Sequence, residues 1–241
     1  MRYGIFSDIH SNLEAFKAVI DAYQTEDIDR YLCIGDIVGY ATDVKDCIEL
    51  VKDLKAGIVA GNHDWAACGR LDFGYFNPNA KKALVWTSEI LSQTESDFLR
   101  ILPLVHSEEN FVLVHGTLNA PQEFYYLNNY DEADRTFALL EKQLCFVGHT
   151  HRPGVFLEAE ENLFYKPLAK LKLENKKRYI INVGSVGQPR DRDNRACCVI
   201  YDSEGKTVEL KRLAYNFSAT QEKIMKVGLP EFLAVRLGEG R

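Results

Sequence analysis

Five short apolar runs in this chain are each followed at once by residues of the metal-binding and acid–base type, and that repetition limits what it can fold into. "RYGIF" (2–6) leads into Asp8-Ile9-His10 and "YLCIG" (31–35) into Asp36. "GIVAG" (57–61) leads into Asn62-His63-Asp64, "FVLV" (111–114) into His115, and "LCFVG" (144–148) into His149-Thr150-His151. Apolar runs of this length read as buried strands. Between the first three lie two helical patterns. Ser11 and Glu14 read as a capping box before Leu13, Phe16, Val19, Ile20 and Tyr23, and Asp43 as a cap before Val44, Cys47, Ile48, Val51 and Leu54. Strand–helix–strand–helix–strand order predicts a parallel sheet. The carboxyl ends of parallel strands form a ligand crevice, so the five runs would deliver their polar residues to one rim. Five of the six histidines fall there, and His106 alone reads as a surface residue.

The rest of the pattern is looser. Asn77-Pro78 opens a helix in N-cap and N1 positions, "TESDFLRIL" and 131–141 are helical, and 218–237 is an amphipathic segment that covers an edge or a face. Beyond Pro153, "NLFYK", "RYIINV", "ACCVIYD" and "TVELKRLA" are strand-like, and are expected to form a second, more antiparallel sheet against the first.

The donors are carboxylates, imidazoles and one amide, not the thiolates of a structural zinc site. Asp8-x-His10 and His149-x-His151 share a one-residue gap, which in extended backbone aims both side chains to the same side, so each pair is expected to serve one centre. Positive charge from a metal would matter here, because Lys and Arg number 29 against 35 Asp and Glu, a net charge of −6. That balance disfavours nucleic acid as a partner. No apolar stretch approaches the ~20 residues that span a bilayer, so no membrane role is expected. The six cysteines form no Cys-x-x-Cys pair, the pattern of a reduced, cytoplasmic protein. The chain reads as a single domain over residues 1–241 with no linker or repeat, and association with a second copy is left open.

Together these motifs, in this order and over residues 8 to 151, resemble the full signature of the calcineurin-like metallophosphoesterase superfamily. "NVGSVGQPRD" (182–191) is further similar to its small prokaryotic phosphodiesterase-like branch. The resemblance implies an α/β fold: a four-layer α/β/β/α sandwich of two mixed sheets flanked by helices. It implies two divalent or mixed-valence metal ions, drawn from Mn, Fe, Zn, Co or Ni, with Mn or Fe favoured. Asp8, His10, Asp36 and His151 would hold the first, and Asp36 would bridge to a second completed by Asn62, His115 and His149. His63 matches the catalytic histidine and Asp64 its orienting partner. The activity implied is hydrolysis of small phosphodiesters, cyclic nucleotides included, by a metal-bridging hydroxide that His63 assists.

The Asp-Arg-Gly of the superfamily's Ser/Thr phosphatases is replaced here by Gly39 and Tyr40 in "GDIVGYATD", which weighs against that alternative. A dinucleoside polyphosphate hydrolase is a third reading, and a non-catalytic protein-binding scaffold a fourth, disfavoured because every ligand position is filled. Two substrate-binding candidates remain. Arg190 follows "GSVGQP", a loop whose N–H groups could cradle phosphate or which could be a turn with ion pairs from Arg192 and Arg195 to Asp191 and Asp193. Asn12 could reach the site or serve its own helix. The aromatic segment 118–133 reads equally as a lid over a base or as ordinary packing.

Overall fold

Alternation along the strands decides the layering, because successive side chains leave a strand on opposite faces. The computed structural model describes residues 1–160 and 162–241. The order is β1 (Arg2–Phe6), α1 (Leu13–Tyr23), β2 (Arg30–Cys33), α2 (Val44–Asp53), β3 (Gly57–Ile58), α3 (Asn62–Ala67), α4 (Pro78–Ile90), α5 (Gln93–Arg100), β4 (Val105–Ser107), β5 (Phe111–Val114), α6 (Tyr130–Leu139), β6 (Leu144–Val147), β7 (Gly154–Ala159), β8 (Asn162–Pro167), β9 (Lys170–Lys172), β10 (Arg178–Asn182), β11 (Ala196–Asp202), β12 (Thr207–Leu213), α7 (Phe217–Lys226) and α8 (Glu231–Glu239).

Two six-stranded sheets form, ordered β3-β2-β1-β11-β12-β9 and β4-β5-β6-β10-β7-β8. Strands β1, β2 and β3 run parallel, as do β5, β6 and β10. Ile5 and Leu32 point inward to meet Phe146 and Ile181 of the second sheet, forming the core between the sheets. Their neighbours Phe6 and Cys33 point outward against Phe16 and Val19 of α1 and Ile48 of α2. On the far side, Phe137 and Ala133 of α6 cover Cys145, Val147 and Ile180. The result is the expected helix–sheet–sheet–helix stack of two mixed sheets. Among the described residues no helix is long and apolar enough to cross a membrane, and all six cysteines are buried and unpaired.

Several local expectations give way. The residues beyond 153 do not make a sheet of their own. Strand β11, buried along nearly its whole length, pairs with β1, and β10 pairs with β6, so both sheets are built from both halves of the chain. Separate sheets would have left these apolar central strands as unpaired edges. Asn12, not Ser11, caps α1, its Oδ1 accepting from Ala15 N at 3.2 Å. The third strand stops at Ile58, because Ala60 N turns away to donate to Pro103 O. Pro230 divides the C-terminal segment into α7 and α8, whose Ile224, Leu233 and Leu237 pack against Tyr40, Ala80 and Ala83. Lys223 ties this hairpin to the first half through Glu14 at 2.5 Å and Asp43 at 2.9 Å.

Candidate metal centre

All the parallel strands release their chains at one rim, and there the backbone departs from extended geometry. Asp8, His10, Asp36, His149 and His151 have φ of 55°, 51°, 52°, 64° and 58°. Left-handed conformations cost non-glycine residues of order 1–3 kcal/mol and persist where surroundings over-determine them. Here the loops hold one another: Asp8 N donates to Gly35 O, His10 N to Asp36 O and Gly148 N to His115 O, each at 3.0 Å. His149 N donates to Asp8 Oδ2 at 3.1 Å. Gly148 lies so close that a Cβ there would sit 2.1 Å from Ser7 Oγ, so only glycine admits this approach.

Two donor clusters result. Asp8, His10, Asp36 and His151 place ligand atoms within 4.8 Å of one another, and so do Asp36, His115 and His149. The shared one-residue gap therefore works differently in its two instances. Asp8 and His10 converge on one cluster, whereas His149 and His151 divide between two, the division the resemblance implies. The backbone at all four is left-handed and not extended, so alternation along a strand governs neither pair. Asp36 stands between the clusters, with Oδ2 3.6 Å from His10 Nε2 and 3.3 Å from His115 Nε2. Its Oδ1 is occupied, accepting from His63 N at 2.8 Å. Among the described residues Asn62 Oδ1 is buried with no hydrogen-bond partner, as is the Asp8 Oδ1 that faces His151 at 3.1 Å.

The histidine contacts test whether a cation fits. His10 Nδ1 lies 3.1 Å from Val38 O, and His151 Nδ1 2.6 Å from Gln188 O. A carbonyl only accepts, so both Nδ1 atoms carry the proton and both Nε2 atoms present lone pairs. Those two Nε2 atoms face each other at 3.2 Å. Two facing lone pairs repel, and a shared cation converts the contact into a pair of ligand bonds. Burial, reinforced by neighbouring cationic groups, holds His10 and His151 below the ordinary imidazole value. Burial also pushes the Asp8 and Asp36 carboxyls up, but the surrounding histidines outweigh it and leave both below the usual carboxylate range. Ionised carboxylates and neutral imidazoles are the protonation states a metal needs. Burial works against a charged His115 as well, yet Asp36 and Asp8 raise it to about 9.

His63 is buried beside the clusters, its ring centroid 4.7 Å from His10, 4.5 Å from Tyr40 and 5.1 Å from Phe76. Its Nδ1 has no hydrogen-bond partner among the described residues, and burial, which outweighs Asp36, lowers its pKa to about 4. Gly39 underlies the ring: with φ +95°, a Cβ there would lie 2.4 Å from His63 Nδ1. The Gly39-Tyr40 departure thus makes room for this imidazole. Asp64 does not orient His63. Its oxygens accept from the N–H groups of Ile37, Val38 and Gly61 at 2.8, 3.2 and 3.0 Å, locking the Asp36 loop to the start of α3.

The two substrate-binding candidates separate. Asn12 is consumed by structure: its amide donates to Gly187 O and Tyr215 Oη, and its oxygen accepts from Ala15 N and Thr220 Oγ1. Arg190 is turned to the site, with Nη2 3.3 Å from Tyr40 Oη and 2.9 Å from Gln188 Oε1, and it makes no ion pair among the described residues. Arg195 instead pairs with Asp193, and Asp191 with Arg212. The "GSVGQP" loop cradles nothing, because Val186 N and Gly187 N donate to Ser7 O and Asp8 O. Sequence reasoning passed over Tyr40, Phe76 and Gln188, and it left undivided the segment whose Tyr126 stacks on His149 at 4.0 Å and 15°. The aromatic richness of 118–133 was the available signal. A separate cavity of about 470 Å³, lined by Phe156, Tyr165 and Arg152, includes none of the donors.

Comparison with known proteins follows the same lines. The family model for the calcineurin-like phosphoesterase superfamily domain matches residues 1–206. An uncharacterised protein of Methanocaldococcus jannaschii is 38% identical, covering 98% of this chain and 97% of that protein. The crystal structure of a metallophosphoesterase from Sphaerobacter thermophilus is 37% identical and superposes with a TM-score of 0.87, covering all of both chains. A hypothetical protein from Pyrococcus horikoshii, 19% identical with a TM-score of 0.82 over 100% and 98% of the two chains, shares the fold.

Proposed function

Because this chain belongs to the calcineurin-like phosphoesterase superfamily, we propose that it is a metal-dependent phosphodiesterase acting on small phosphodiesters, cyclic nucleotides among them. The observation that carries this reading is the pair of Nε2 lone pairs on His10 and His151, 3.2 Å apart and beside the shared Asp36. Asp8, His10, Asp36 and His151 would hold one divalent ion, and Asp36, Asn62, His115 and His149 a second. The oxygen and nitrogen donors suit Mn, Fe, Zn, Co or Ni, with Mn or Fe favoured. Such ions polarise phosphoryl oxygens and lower the pKa of water toward neutrality.

The chain's own residues do the rest. His63, outside both donor clusters, would donate a ring N–H to the departing oxygen and give up that proton as the oxygen leaves, assistance worth roughly 10²–10⁴-fold. Arg190, held by Tyr40 and Gln188 and without a carboxylate partner among the described residues, offers its remaining N–H groups to a phosphoryl oxygen. It reaches the centre from the far end of the chain and supplies the guanidinium that Gly39 and Tyr40 do not. Asp64 is a positioning residue for the Asp36 loop.

The test is a paired assay with added Mn²⁺, comparing bis-p-nitrophenyl phosphate with p-nitrophenyl phosphate on wild type and His63→Ala. Faster diester cleavage that falls about 10²-fold or more in the variant is expected. Preference for the monoester would contradict the phosphodiesterase, and no hydrolysis with Mn, Fe, Ni or Zn would contradict the enzyme.

A further inference from the structure

A cavity of about 360 Å³ opens onto Asn62, His63 and His149, a size that suits a small ligand. Its walls are mostly rings. Tyr75 and Phe76 come from the segment after α3, and Phe124, Tyr125 and Tyr126 from the segment between β5 and α6. Tyr75 is 78% exposed, Tyr126 49% and Tyr125 45%. Large rings left in water around one hollow mark a contact surface rather than a core.

The inner rings are fixed by the site itself. Tyr126 lies flat on His149, and Phe76 stands edge-on to His63. The polar groups lining the cavity are acceptors as well as donors: Asn77, Gln122 and the carboxylate of Glu123. Among the described residues no lysine or arginine lines it. A polyphosphate arm would meet Glu123 with nothing to neutralise it, whereas a flat neutral ring with N–H donors would find both stacking faces and acceptors.

We infer that this cavity takes a nucleobase, so that the substrate is a nucleoside phosphodiester whose base lies among Tyr75, Phe76, Tyr125 and Tyr126. The phosphoryl group is then placed over the donor clusters, with Arg190 outside the cavity. This rests on the phosphoesterase reading and narrows it, setting aside an extended polyphosphate chain in this arm.

The test is calorimetric titration of Mn²⁺-loaded protein with adenosine and, separately, with ribose, on wild type, Tyr75→Ala and Tyr125→Ala. Among the described residues neither ring packs on a donor histidine, as Tyr126 does on His149, and metal content is checked in each variant. Adenosine should bind well above ribose, and each variant should weaken it by roughly five- to 150-fold, the worth of one base–aromatic stack. Equal binding of adenosine and ribose, or variants that bind adenosine like wild type, would overturn the assignment. Hydrolysis of bis-p-nitrophenyl phosphate by the same preparation separates the two claims. Adenosine binding without hydrolysis by any metal would sink the phosphoesterase and leave the base cavity standing, and hydrolysis without adenosine binding would do the reverse.

Discussion

The two halves of the donor set are built from different chemistry. One gathers two carboxylates, Asp8 and Asp36, with the imidazoles of His10 and His151; the other has only the shared Asp36 beside His115 and His149, and the neutral amide of Asn62 is proposed to complete it. Affinity for a divalent ion rises with the number of anionic donors, so the first half should hold its ion more firmly and the second should exchange. Both sets of carboxylates and imidazoles are buried, but the second borders the aromatic cavity through Asn62 and His149. On the proposed function, the first half would anchor its ion and the second would meet substrate.

That contrast can be broken first at the residue both halves share. Asp36→Asn should empty both halves and lower turnover by at least about 10³-fold, because metal charge stabilisation supplies several kcal/mol. Retention of one tight ion would show that Asp36 does not bridge. Separating the halves comes next: Asp8→Asn should abolish the tight ion, whereas His149→Ala should remove only the exchangeable one, with activity partly restored by excess Mn²⁺. Plasma mass spectrometry after dialysis distinguishes them, and equal metal loss in both variants would erase the proposed asymmetry.

Gly39→Ala sharpens the contrast between holding metal and using it. The added methyl would collide with His63 Nδ1, so metal content should persist while turnover falls on the order of 10²-fold, the cost of a misplacement of about 1 Å. The smallest effect is expected far from the centre. Lys223→Met removes the link from α7 to Glu14 and Asp43, and partly exposed pairs are worth about 0.2–1 kcal/mol. A thermal midpoint lower by about 1–4 °C, with kinetics unchanged, is the expected outcome.

The rim was readable from sequence because parallel strands all release their polar residues at one end. Residue order alone therefore placed Asp8, Asp36, His115 and His149 together. What could not be read is the local backbone. The one-residue spacing of His149 and His151 suggests a common target, but with left-handed backbone there, as at Asp8 and His10, spacing no longer sets direction, and the two divide between clusters as the resemblance implies. Asp64 looked like a partner for its neighbour His63, yet as the third residue of α3 it faces back to the N–H groups of the Asp36 loop. The mixing of chain halves in each sheet was equally hidden. Pairing β1 with β11 joins residues 5 and 199, a partnership that no local pattern carries. Arg190 and Tyr40 likewise meet across 150 positions.

The bridging role of Asp36 is tested most directly by anomalous diffraction from crystals of the Mn²⁺-loaded protein, recorded at the manganese edge. Two peaks about 3.5–4 Å apart are expected, one among Asp8, His10 and His151, the other among Asn62, His115 and His149, with Asp36 between them. A single peak, or two peaks that do not share Asp36, would contradict it.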